Sequence, residues 1–347
     1  MSRASRKLEH LRLALKLEKN SGQGFSDVHF VHQALPDSSL AKVSLTTFFG
    51  GLTLSSPIII NALTGGAFAT QKINEQLAIV ARETGLAIAV GSQMAAVKNK
   101  ELIKTFQIVR KTNKSGLVFA NIGSEASVQD ALEAIEMIEA DALQVHLNVI
   151  QELIMPEGER DFSGALDRLE TIKEAIKIPL IIKEVGFGIS QEVAGKLKKR
   201  GITLIDVGGK GGTNFANIEN SRRTRPLNFF ADWGINTPES ILEVGSVGQM
   251  EIIASGGLRD GLDIAKAIGL GASAVGIAGS VLDSLVRNKI PGTISYLEDL
   301  QEDLRIIMTA LGAGELKELP KKPMVILNNL LAWCLQRGIS LEKIKTH

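Results

Sequence analysis

The sequence predicts an α/β protein: one (β/α)8 TIM barrel carrying an N-terminal helical arm and C-terminal helices. Three observations lead there. Eight short runs rich in Val, Ile and Ala recur along the 347 residues, and near-continuous apolar runs of this length suit parallel strands covered on both faces. Helical patterns separate them, several closing on a glycine (Gly85, Gly201, Gly271), the residue that most readily follows a helix C-terminus. No G-x-G-x-x-G follows the first run, which puts a doubly wound open sheet behind the barrel.

The runs begin at Pro57, Leu86, Leu117, Ala142, Pro179, Leu204, Glu251 and Ala274. They divide the chain into an arm and connector over 1–50, the barrel over 51–290, and C-terminal helices over 291–347. The apolar stretch from Met324 to Leu335 reads as a buried or partner-facing helix. The stretch from Gly209 to Ser240 reads as a long loop after the sixth strand; such loops are usually functional or disordered.

Bulk composition sets limits. Hydrophobic residues make up 44% and charged residues 22%, with a net charge of +1, so nothing points to nucleic acid or an acidic membrane surface. No run is long and apolar enough to span a bilayer. The basic N-terminus is followed by no apolar segment of the secretory kind. Cys334, the one cysteine, sits in L-L-A-W-C-L and reads as a small buried side chain, in agreement with a cytoplasmic location.

In this fold the active site lies where the strands end. Those ends are A-L-T-G-G (Ala62, Leu63, Thr64), G-S-Q (Ser92), Asn121, His146 with Asn148, Lys183, G-G-K-G-G-T (Thr213), S-G-G-L-R (Gly256, Gly257, Arg259) and A-G-S (Ala278, Gly279). The glycine turns after strands seven and eight expose backbone N–H groups at helix starts, the usual phosphate site of a barrel; simple helix capping is the plainer alternative. Arg259 could add a charge-assisted bond. By two-residue alternation Lys183 faces the barrel mouth and Glu184 the helices. A buried cation needs an anion: a reduced flavin or a plain Lys–Glu pair would serve equally. His146 and Asn148 share a face by the same alternation, with Gln151 and Glu152 in the loop beyond. Glu152 is either a helix-start residue or a ligand; one carboxylate is poor for zinc and adequate for Mg2+ with substrate phosphates. In the arm, Arg6, Lys7 and His10 form either a solvated basic face or a segment that closes over an anion.

Taken together, several motifs resemble one family. They are R-K-L-E-H at Arg6, V-H-F-V-H-Q-A-L-P from Val28, T-G-G at Thr64, G-S-Q at Gly91, H-L-N-V-I-Q-E at His146, M-P-E-G-E-R-D-F, K-E-V-G-F-G at Lys183, D-V-G-G-K-G-G-T-N-F at Asp206 and A-S-G-G-L-R at Ala254. This set resembles the FMN-dependent type 2 isopentenyl-diphosphate isomerases over most of the chain. The resemblance implies interconversion of isopentenyl and dimethylallyl diphosphate with FMN, Mg2+ and NADPH as the reductant of the flavin. It implies that Ala62, Leu63, Thr64, Ser92, Asn121, Lys183, Thr213, Gly256, Gly257, Arg259, Ala278 and Gly279 hold FMN. Glu152 would bind Mg2+. Gln151, His146 and Asn148 would be the catalytic residues, with Gln151 helping to relay a proton, and Arg6, Lys7, His10 and Gln151 would bind the substrate. A tetramer or octamer is also implied. Leu63 replaces the Met of many members, and Met94 stands where some carry an Arg that reaches the diphosphate. The rival is an oxidoreductase of the 2-hydroxy-acid oxidase kind, which needs a His beyond strand six; none lies between 147 and 346.

Overall fold

The computed structural model describes residues 24–342; Arg6, Lys7 and His10 lie outside them. Eight parallel strands close into a barrel: β1 (Ile58–Ile60), β2 (Ala87–Ala89), β3 (Val118–Gly123), β4 (Ala142–Leu147), β5 (Leu180–Glu184), β6 (Leu204–Asp206), β7 (Glu251–Ser255) and β8 (Ala274–Ile277). Seven lie within an expected run, and β3 extends one residue, Gly123, past its own. β8 pairs with β1, Gly276 opposite Ile59, which closes the ring.

Alternation along the strands sorts side chains into two cores. Ile58, Ile60, Val118, Ala120, Leu143, Ile182 and Ile252 face outward into the shell of helices. Ile59, Ala87, Phe119, Ala142, Ile181, Leu204, Ile253 and Ala274 fill the lumen. The lower end of the lumen is stoppered by a hairpin, Thr47–Phe49 against Leu52–Leu54, which adds Phe49 and Leu54 to the same cluster. Its two-residue turn, Gly50–Gly51, has φ of 58° and 79°, the left-handed pair that matches strand twist in a tight hairpin.

Two expectations are corrected. The run from Met324 is not one helix. Met324–Ile326 is a strand antiparallel to Val28–Phe30, and the helix starts only at Asn328, running to Arg337. Met324 and Ile326 are buried and Val325 exposed, the two-residue period of a strand. Asp27 then starts the helix: its carboxylate accepts from Leu330 N–H and Asn328 Nδ2, both at 3.2 Å. The stretch from Gly209 to Ser240 is also not all loop. It holds the helix Phe215–Asn220, whose start is capped by Asn214, and the beginning of the helix Thr237–Ser246. Cys334 is fully buried, as its apolar neighbours suggest.

Candidate active site

The strand ends open on a cavity of about 590 Å3, a size usual for cofactor sites. It is lined by every expected site residue among those described, from Ala62 round the ring to Gly279.

One side of the cavity is made by backbone. After β7 the chain turns through Gly256 and Gly257 with φ of 106° and 82°. A Cβ on Gly256 would lie 2.0 Å from Gly209 O, and one on Gly257 2.5 Å from Gly211 O, so only glycine lets the two loops touch. No hydrogen bond among the described residues uses the N–H of Gly256 or Gly257. Asp260 separately caps the helix Gly261–Gly269, so capping does not consume the turn. Those donors and the glycine-lined space fit an anionic phosphate. Arg259 is half-exposed and paired with Asp263, Nε to Oδ2 at 3.0 Å.

Side chains line the rest of the cavity. Lys183 Nζ meets Asp206 Oδ2 at 2.9 Å and donates to Ser255 Oγ at 3.3 Å. The lysine's protein partner is thus Asp206 of the neighbouring strand and not Glu184, which corrects the Lys–Glu alternative. Glu184 faces the other way and accepts from the N–H groups of Val185, Gly186 and Phe187 at 2.6–2.8 Å. Burial nonetheless pushes its carboxyl up to about 7, against those bonds and the Lys183 charge. Asp206 also accepts from Asn61 Nδ2 at 2.7 Å and, through Oδ1, from Ser255 Oγ.

β4 ends at Leu147, and Asn148 begins a helix, Val149–Ile154. Gln151 and Glu152 therefore sit on a helix, not in the expected loop. Asn148 Nδ2 donates to Glu152 Oε1 at 2.9 Å, one turn on. Glu152 Oε2 accepts from Glu159 N–H at 2.8 Å. Gly158 allows that fold-back, since a Cβ there would lie 2.1 Å from Glu152 O. Gln151 Nε2 donates to Glu219 Oε1 at 3.1 Å, and Glu219 is fully buried and paired with Arg222. No group of three or more His, Cys, Asp or Glu that could hold a metal occurs among the described residues. A single carboxylate with lone pairs remaining suits Mg2+ shared with substrate oxygens, and not an all-protein cage.

Reading strand ends missed Asp206, Asn61, Gln144, Ser255 and Glu219. For four of them a signal existed: each is the polar residue two places beyond an apolar lumen residue (Leu204, Ile59, Ala142, Ile253). Glu219 gave none, because its helix lies in a stretch read as loop.

Comparison with known proteins bears on the family and the fold. The profile of the FMN-dependent dehydrogenase family matches residues 122–326. An isopentenyl-diphosphate delta-isomerase of Geobacillus sp. (strain WCH70) is 51% identical over 344 residues, 99% of this chain and 99% of that protein. One of Bacillus pumilus (strain SAFR-032) is 50% identical over 341 residues, 98% and 96%. Among solved structures, a mandelate oxidase mutant with an FMN monooxide adduct superposes with a TM-score of 0.61 at 18% identity, covering 94% of this chain and 93% of its own. A flavocytochrome b2 mutant with pyruvate bound gives 0.70 at 18%, covering 93% and 84%. At that identity these two speak for the fold alone. The full-length likeness at half of all positions, on a barrel matched by the flavin-enzyme profile, decides the matter: the chain belongs to the FMN-dependent dehydrogenase family and to the isopentenyl-diphosphate delta-isomerase family.

Proposed function

We propose that this protein interconverts isopentenyl and dimethylallyl diphosphate in the cavity at the barrel mouth, using FMN and Mg2+, with NADPH to reduce the flavin. The observation that carries the reading is the pairing, in one cavity, of a glycine phosphate cradle with the helix that bears Gln151 and Glu152. Gly256, Gly257 and Gly279 would take the FMN phosphate, with Arg259 held at the rim by Asp263. Ala62, Leu63, Thr64, Ser92, Asn121, Thr213 and Ala278 would surround the ring system. When bound and reduced, FMN would supply acid–base chemistry at carbon with no net electron transfer. Lys183, buried beside Asp206 at the cavity wall, would offset negative charge there. Glu152 would bind Mg2+ together with diphosphate oxygens. His146 and Asn148 would orient the diphosphate, with Arg6, Lys7 and His10 of the arm. Gln151, its Nε2 committed to Glu219, would keep Oε1 as acceptor on a proton path. A tetramer or octamer in the cytoplasm completes the proposal. No helix among the described residues is long and apolar enough to cross a membrane.

The test is direct. Purified protein with FMN, Mg2+ and NADPH should isomerise isopentenyl diphosphate without consuming NADPH stoichiometrically; turnover-linked oxidation of NADPH or of a hydroxy acid would favour the oxidoreductase instead. Glu152→Gln should raise the Mg2+ requirement about 10–100-fold, the usual scale for weakening a metal site. An unchanged Mg2+ titration removes Glu152 as ligand.

A further inference from the structure

Beneath the cavity runs a chain of hydrogen bonds whose direction can be worked out from one end. Asp206 is fully buried and paired with Lys183, so its oxygens accept and do not donate. The Asn61 group facing Asp206 Oδ2 at 2.7 Å must therefore be the NH2. The backbone fixes the same orientation independently: Ala62 N–H, which can only donate, reaches Asn61 Oδ1 at 2.9 Å. That oxygen also accepts from Gln144 at 3.1 Å, which makes the donating end Nε2. Gln144 Oε1 then faces Asn121 at 3.2 Å and needs a donor, so Asn121 presents Nδ2 there. What remains to Asn121 is Oδ1, and it lies 2.8 Å from His146 Nδ1. An oxygen acceptor facing that nitrogen requires a hydrogen on it. Turning any one amide over would set two donors or two acceptors against each other. Asn61, Gln144 and Asn121 are at most 2% exposed, so water has little access to repair such a mismatch.

We infer that Asp206 is a positioning residue for His146: through Asn61, Gln144 and Asn121 it holds the imidazole hydrogen on Nδ1 and leaves the lone pair of the neutral ring on Nε2. Four strands contribute to the path between them, which runs from β6 to β1, then to β4 and β3, and back to His146 on β4. The relay follows from geometry alone. Its consequence for substrate rests on the isomerase reading. A neutral His146 can accept at Nε2 but cannot donate from it to a diphosphate oxygen. The imidazolium donates from both nitrogens. A diphosphate held through Nε2 would thus be held by the protonated ring.

The holoprotein labelled with 15N in its histidines reports the tautomer through imidazole 15N–1H correlation spectra, with His146→Asn identifying the signal. The neutral ring should favour Nδ1–H by about tenfold, the scale of one net hydrogen bond. Gln144→Met cuts the relay at nearly constant volume and should let the Nε2–H form rise to a comparable share. Asn61→Leu cuts it one link earlier and should do the same. A wild-type His146 mainly in the Nε2–H form overturns the inference without any variant being needed. A Gln144→Met or Asn61→Leu protein that folds and keeps the wild-type Nδ1–H share overturns it too. Because no substrate is present, failure of isomerisation beside the expected spectra would defeat the proposed function and leave the relay standing.

Discussion

Low in the barrel lumen, Ile59, Phe119, Ile181 and Ile253 pack with Phe49. Two residues further along the same strands stand Asn61, Asn121, Lys183 and Ser255, joined by hydrogen bonds and one buried ion pair. The two layers are about 6.6 Å apart along the strands, two residues at ~3.3 Å each. The lower layer fills volume and has no polar atom to satisfy. The upper layer gives up packing for a network of side-chain hydrogen bonds around one ion pair. The difference teaches that one barrel can separate stability from chemistry by a single step of strand alternation, provided the polar layer is fully connected.

Substitutions in the two layers should therefore fail in different ways. Phe119→Ala should have the largest effect, a loss of about 3–5 kcal/mol in urea unfolding from the cavity it leaves, while molecules that remain folded keep the wild-type flavin spectrum. Lost flavin binding at unchanged stability would break the division between layers. Glu184, at the end of β5 but facing away from the lumen, tests the upper end by pH. Its folded carboxyl sits at about 7 against an ordinary 4.5, so the folded state holds a proton that the unfolded state has released. Stability should fall as pH rises from about 4.5 to 7, by on the order of 3 kcal/mol. Urea midpoints at pH 5 and pH 8 measure it, and Glu184→Gln should flatten the difference; equal slopes in both proteins would remove Glu184 as the cause. Ser255→Ala deletes a neutral partner of Lys183 and Asp206 in the upper layer. It should cost about 1 kcal/mol yet shift the flavin absorption, whereas a purely structural role would leave the spectrum in place. Smallest is Cys334, outside both layers, buried and with its thiol pushed up to about 11 by burial. A thiol-specific disulfide reagent at pH 7 should label it only after unfolding, and rapid labelling of the native protein would contradict its packing.

Much of the barrel was legible beforehand because its signals are local. Eight apolar runs, each short and punctuated by glycine or a polar residue, state strand and turn within a few residues of chain. The hidden elements were those whose reason is distant: the strand Met324–Ile326 exists because Val28–Phe30 lies beside it, and the helix at Asn328 because Asp27, some 300 residues earlier, caps it. The site divides in the same way. Gly256 and Gly257 announce a tight turn wherever they occur, and H-L-N-V-I-Q-E announces polar chemistry at a strand end. That Lys183 pairs with Asp206, or that Gln151 leans on Glu219, depends on which strands and helices become neighbours.

By itself, the sequence determined the barrel, the ring of polar strand ends and, through its motifs, the family. Only the tertiary structure decided who pairs with whom across that ring: Asp206 with Lys183, Asn61 with Gln144, Asn121 with His146. The physical reason is that alternation and turn chemistry act over a few bonds. The direction of a hydrogen bond between side chains on different strands is set by the register and closure of the whole sheet.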